Sequence, residues 1–438
     1  MKKFVTLLLC TISLSLFAQV DDEIRRAMDR CDYEAVIRLI GSDAQDSLSL
    51  MVKAQALKAM NRYPEAIKSL NSLIMKDSTN TKVLTDLAEC YKLMGNFRRA
   101  ADCFQKAVSL QPDNTYFRLQ VIRSLLASEN YEEARTACHG WLERDTLSAT
   151  GYKYLGQAYE GLQDLVSAFS SYNAAYRRDS LDGQTVARIA GFFNNNQQFG
   201  DAVEVTEHYR LSDTTHIDVN RQNAKAYCML KEYGTAVNRY EALKNLGDRS
   251  FLTLYYLGVS HYGDGWFYGA YDNLKEAYRK NSMDVNVLYY LAKAAARTSW
   301  KKEGAEYMEE AFRIAVPTDS MMVRLYDGLA ECYGHAGNTL KKVEALEKLY
   351  TYTRQSMLLY KIANLYDWKE DAKNAIRYYE KYMATVPEDQ RYALDENGNP
   401  VEDDTRITYY QRAWKRVKAI KEEGFFRGDI VKRVFESK

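Results

Sequence analysis

Apolar residues recur every three or four positions through most of the chain, the spacing that places them on one face of a helix. Tyr152, Leu155, Gly156 and Tyr159 make one such stripe, and Ala168, Tyr172 and Ala175 make the next. Short turns such as Met94-Gly95-Asn96 separate the two stripes of a pair, while Pro112 or Asp179-Ser180 stops the helix between pairs. The pattern predicts antiparallel helices taken two at a time and an all-α protein. Five prolines in 438 residues fit that expectation, being too few to punctuate a long series of strands.

The pairs repeat. Ala66, Ala100, Ala134, Ala168, Ala202, Ala236 and Ala270 stand 34 residues apart, seven in succession. Twelve residues before them are Ala54, Ala88, Ile122, Gly156, Ala190, Ala224 and Gly258, and three residues before them a large side chain such as Tyr63, Phe97, Tyr131 or Phe199. Small residues belong where helix axes approach and large ones in the gaps, so Gly156 and Ala168 are expected to face each other at the tightest crossing of their unit. One pair cannot bury its apolar face alone, and neighbours must stack. Beyond Ala270 the pattern loosens, with Gly304 on the periodic place, and Ala330 and Tyr333 recover it.

These residues resemble the tetratricopeptide repeat. Tyr152-x2-Leu155-Gly156-x2-Tyr159 followed by Ala168-x3-Tyr172 matches its pattern, as do Leu87-Ala88-x2-Tyr91, Ala100-x3-Phe104 and Pro112. The unit at 356–389 repeats it with Ile362-Ala363-x2-Tyr366, Ala375-x3-Tyr379 and Pro387. The resemblance implies an α-solenoid of about ten helix hairpins over 47–387, with a degenerate helical cap at 19–46 and a further cap at the C-terminus. It also implies a non-enzymatic scaffold that binds a protein or peptide in a concave groove lined by the first helix of each pair. Carried over place by place, the groove residues include Arg221, Lys225, Tyr255, Tyr262, Tyr289, Lys293, Tyr360 and Trp368, a mixture of aromatic planes and positive charge suited to a binding hot spot. A glycan or small-ligand receptor that stacks sugars on these rings is the alternative.

The ends carry other signals. Lys2 and Lys3, the apolar run Phe4 to Phe17 and Ala18 read as a signal peptide, 1–18, too short to span a bilayer. Export to the periplasm or cell envelope, in the manner of the Bacteroidota that such a leader followed by Gln19 resembles, is the expectation. Residues 388–404 form an acidic loop with seven acids against Arg391, and 405–438 a basic amphipathic helix and tail with ten bases against four acids. Their opposite charges place loop and helix together. Ile407, Tyr410, Trp414 and Val417 mark the buried stripe of that helix, which Gly424 is expected to end.

Candidate chemistry is otherwise sparse. A formal charge of +1 gives no case for nucleic acid. No phosphate loop, zinc motif or nucleophile elbow is present, and His139, His208, His216, His261 and His335 lack ligand spacing, so no cofactor or metal is expected. The six cysteines after the leader have no metal-like spacing and read as reduced packing residues.

Overall fold

The computed structural model describes residues 22–41, 44–394 and 407–436, with the side chains of the last helix as far as Glu423. The expected signal peptide and the greater part of the acidic loop lie outside them. A short pair, α1 (Asp22–Asp29) and α2 (Tyr33–Ile40), comes first. Helix pairs then follow as α3 (Ser47–Ala59) and α4 (Tyr63–Lys76), α5 (Thr81–Leu93) and α6 (Phe97–Leu110), α7 (Thr115–Ala127) and α8 (Tyr131–Leu142), α9 (Ala149–Gly161) and α10 (Leu165–Tyr176), and α11 (Gly183–Asn195) and α12 (Phe199–Arg210). The series continues with α13 (Ile217–Met229) and α14 (Tyr233–Asn245), α15 (Phe251–Asp264) and α16 (Phe267–Lys280), α17 (Val285–Ala296) and α18 (Lys301–Ile314), α19 (Asp319–His335) and α20 (Thr339–Thr353), and α21 (Ser356–Trp368) and α22 (Ala372–Thr385). A long helix, α23 (Tyr409–Glu436), ends the described chain. The fold is an all-α solenoid, and the chain divides into two compact units, residues 1–196 with 205–213 and residues 197–204 with 214–438.

The sequence starts most of the first helices of the pairs chemically. Asp46, Asn80, Asn114, Ser148, Asp182, Ser250, Asp284 and Thr318 each accept a backbone N–H of the first turn, satisfying a donor that has no partner within the helix. Within a pair the stop is equally regular. Asn61, Gly95, Glu129, Gln163, Gln197, Lys231 and Gly265, again 34 residues apart, all adopt positive φ between 58° and 87°. The next residue's N–H then donates back five positions, as from Asn96 to Tyr91 O at 2.8 Å and from Asp164 to Tyr159 O at 3.0 Å, closing a Schellman turn. Five of those seven residues are not glycine and carry the cost of a left-handed conformation.

Within each unit the core runs between the helices of a pair and on to the next pair. In the first unit Leu57, Leu70, Leu84, Ala100 and Phe104 are fully or nearly fully buried. In the second, Leu243, Leu254, Leu257, Leu274, Leu288 and Ile362 play that part. The small places are tight: a Cβ added at Gly156 meets the ring of Tyr172 at 2.8 Å, one turn beyond Ala168, and one added at the equivalent Gly258 meets Leu274 at 2.5 Å and Ala270 O at 3.2 Å. At Gly304, where the alanine series breaks, an added Cβ would stand 2.7 Å from Ala292 O and 2.9 Å from Ala296 N, so the loosened pattern marks backbone against backbone. Cys90, Cys103, Cys138, Cys228 and Cys332 are buried free thiols, and Cys31 is exposed.

The C-terminal helix caps the last pair by part of the expected stripe, Ile407 and Val417, and by residues beside it. Ile407, Ala413, Val417 and Ile420 are buried, while Trp414 remains 53% exposed. Gly424 does not end the helix, which runs on to Glu436 because a glycine with helical backbone costs only about 1 kcal/mol. Arg416 binds Asp367 of α21 through both carboxylate oxygens at 2.7 and 2.8 Å, and Lys421 reaches Glu380 of α22 at 2.9 Å. Acids of the last repeat therefore pair with two of this helix's cations.

Candidate functional site

In the second unit the first helices of successive pairs lie side by side. α15 is capped by Ser250 and closed by Gly265 at φ +87°, and α17 is fixed by Asp284, which accepts from Asn286 N at 2.8 Å and Val287 N at 3.0 Å. Leu254, Leu257, Gly258 and His261 commit one face of α15 to packing, as Leu288, Leu291, Ala292 and Ala295 commit one face of α17. The faces left over meet. Tyr290 stands at the centre, with Tyr255 at 6.3 Å and Tyr262 at 6.0 Å between ring centroids, both edge-on.

Cations flank two of these rings. Lys293 lies 5.5 Å from the Tyr262 ring and Arg297 5.3 Å from it, while the Arg324 guanidinium is 5.6 Å from Tyr290. Arg324 is fixed by donating to Asn286 Oδ1 at 2.7 Å. Glu331 of α19 takes Lys293 at 3.0 Å and Arg297 at 2.7 Å. Burial works against ionisation of Glu331, but the two cations outweigh it and hold the carboxyl below its ordinary value. Burial likewise opposes the charge on Lys293, and its hydrogen bond to Glu331 overcomes that, raising the ammonium above its ordinary value. Three cations against one carboxylate leave the surface positive. Burial keeps the phenols of Tyr255 and Tyr262 protonated, pushing both up.

The structure brings together Tyr255, Tyr262 and Lys293 from among the expected residues. Tyr289 has to be corrected: it is buried, 8% exposed, because Arg324 lies over its ring at 4.0 Å and Gly328 of α19 has no side chain to hold it off. Tyr290, its neighbour, is half-buried and is the ring that meets Tyr255 and Tyr262. Arg221 is engaged in a clasp, donating to buried Asp248 at 2.9 and 3.2 Å and to Asp218 at 2.7 Å, with Asp248 also accepting from Thr253 Oγ1. Lys225 is half-buried on α13, and burial draws its ammonium below the ordinary value.

Tyr360 is also corrected. Its ring packs edge-on against Tyr382 at 5.3 Å and Tyr409 at 5.1 Å, so the terminal helix encloses what the repeat pattern leaves open. Trp368 is 74% exposed at the end of α21 with Lys369 at 4.8 Å from its ring. Arg297 and Tyr290 were missed: Tyr290 falls one position off the groove place of Tyr289, whereas Arg297 holds in its pair the groove place that Trp368 holds in its own and was passed over. Among the described residues no group of three or more His, Cys, Asp or Glu could hold a metal, and no helix is long and apolar enough to cross a membrane.

Residues 81–114 and 122–182 match the tetratricopeptide repeat, and the chain carries these repeats. Superkiller protein 3 of Schizosaccharomyces pombe is 22% identical over 332 residues, 71% of this chain and 24% of that protein. DnaJ homolog subfamily C member 7 of Homo sapiens is 25% identical over 195 residues, 44% of this chain and 35% of that one. The chain thus spans between a quarter and about a third of these relatives. A tetratricopeptide repeat protein from Parabacteroides merdae, 12% identical, has a TM-score of 0.40 over 57% of this chain and 98% of its own. Tetratricopeptide repeats are in general protein-interaction scaffolds.

Proposed function

We propose that this chain is an exported, non-enzymatic scaffold of the periplasm or cell envelope, and that it binds a segment of a partner protein on the first-helix surface of its second unit. The observation that supports this is the ring cluster Tyr255, Tyr262 and Tyr290 set among Lys293, Arg297 and Arg324. Rigid aromatic rings lose little entropy on binding, and a surplus of positive charge favours a segment that is acidic and apolar. The leader-like sequence at 1–18 supports the location.

Sugar recognition is disfavoured by the ring geometry. The rings meet edge to face, Lys293 and Arg297 flank Tyr262, Arg324 flanks Tyr290 and Phe251 stacks on Tyr255 at 6.2 Å, which disfavours stacking of a sugar. A photo-crosslinking residue at Tyr262 in the exported chain tests the reading, with Tyr268 on α16, 50% exposed, as the control. Discrete protein adducts from Tyr262 and none from Tyr268 are expected. Adducts from Tyr268 alone, or from neither while Trp414 crosslinks, would transfer binding to another face.

A further inference from the structure

Between α6 and the pair α7–α8 of the first unit lies a cavity of about 210 Å³, independent of the surface described above. Pro112, Val121 and the indole of Trp141 supply apolar walls, and the guanidinium groups of Arg118 and Arg144 supply charge. Trp141 is 3% exposed and specific to this pair, for Ala107 and Ala175 occupy the equivalent places 34 residues before and after.

Gly140 also lines the cavity, in the last turn of α8, and its presence has no packing reason. A Cβ added there meets nothing within 4 Å, and the backbone is not left-handed. Alanine is much the better helix former at such a position. What glycine supplies is open volume next to the indole.

The charge at this cavity is incompletely matched. Arg118 donates to Pro112 O, and the carboxylate of Asp113 stands 3.8 Å from Arg118 and 3.6 Å from Arg144. Both distances exceed hydrogen-bond length, and the Asp113 side chain is fully exposed, so it is readily displaced. Two guanidinium groups and one loosely held acid leave a place for a second carboxylate, which arginine binds through two parallel N–H groups.

We infer that this cavity binds a small carboxylate with an aromatic or branched apolar tail, the tail on Trp141 and the carboxylate on Arg118 and Arg144. An apolar cavity of about 150 Å³ holds a benzene, so the present volume suits one ring or branched chain. Such a group is either a free acid or the C-terminal residue of a polypeptide, which share this chemistry.

The test is calorimetric titration of the full chain with phenylacetate and with phenylacetamide, its uncharged analogue. Phenylacetate should bind at least tenfold more tightly than the amide. Arg144→Gln should remove that preference, and Gly140→Leu should abolish binding of both without lowering the melting temperature. A short peptide ending in free Phe that binds more tightly than phenylacetate identifies a chain terminus as the natural source; a weaker one identifies the free acid. Equal binding of acid and amide, unchanged binding in Gly140→Leu, or no binding at about 10 mM ligand, tenfold above a millimolar Kd, would overturn the assignment.

Discussion

His261 sits in the second unit with 2% of its surface exposed, and neither ring nitrogen has a hydrogen-bond partner. Trp266 stands edge-on at 4.5 Å, and the Glu241 carboxylate is 3.5 Å from Nε2 without hydrogen-bond alignment. Burial lowers the His261 pKa, assisted by Lys244 and opposed by Glu241 and Asp264, and the lowering wins. A folded value below the unfolded one means that the unfolded chain binds the proton more readily, so stability is complete above about pH 6.5 and declines as the pH falls below it. Thermal melts of the wild type should therefore drop between neutral and mildly acidic pH, and His261→Phe should flatten that drop. An identical pH profile in the variant would remove His261 as the cause. Gly304 makes a sharper steric case. Its neighbours are backbone atoms of α17 and cannot swing away, so Gly304→Ala should cost about 1–3 kcal/mol of overpacking, more than the helix propensity it gains. A raised melting temperature would contradict that crossing.

At the scale of the helix, the turn within each pair is a rigid device. Gln163 holds φ +62° and Lys231 φ +66°, where Gly95 and Gly265 do the same without a Cβ. Gln163→Gly should stabilise the chain by roughly 0.5–1 kcal/mol, measurable by urea unfolding, because the left-handed strain disappears. The terminal helix is a second such element. Removing 407–438 uncovers the partners of Ile407, Val417 and Ile420 and leaves Asp367 without Arg416, a loss on the order of 5 kcal/mol felt by the last pair. Hydrogen exchange should quicken first in α21 and α22; unchanged protection there would deny the helix its capping role. The helices and their pairing were legible because burial enforces a period that the sequence repeats. Which face α23 would bury was not, since Trp414 and Val417 are equally apolar in sequence and only the contact with α22 separates them. Tyr289 and Tyr290 were confused for a like reason: whether a ring is covered depends on Arg324 and Gly328, about 35 residues away.

On the scale of the molecule, the buried thiols are spread along both units: Cys90, Cys103 and Cys138 in the first, Cys228 and Cys332 in the second. Burial pushes Cys90 and Cys103 up to about 11 and Cys138 and Cys332 up to about 12, and raises Cys228 as well. A thiol in that state is silent twice over, being both out of reach and almost wholly protonated, and it is the thiolate that reacts. In an oxidising compartment the folded chain would therefore stay reduced at these five positions without any reductase, while Cys31 would take up reagent at once. Each buried sulfur becomes a clock for its own stretch of helix, recording how often that stretch opens, and mass spectrometry of an alkylated sample would read the five clocks together.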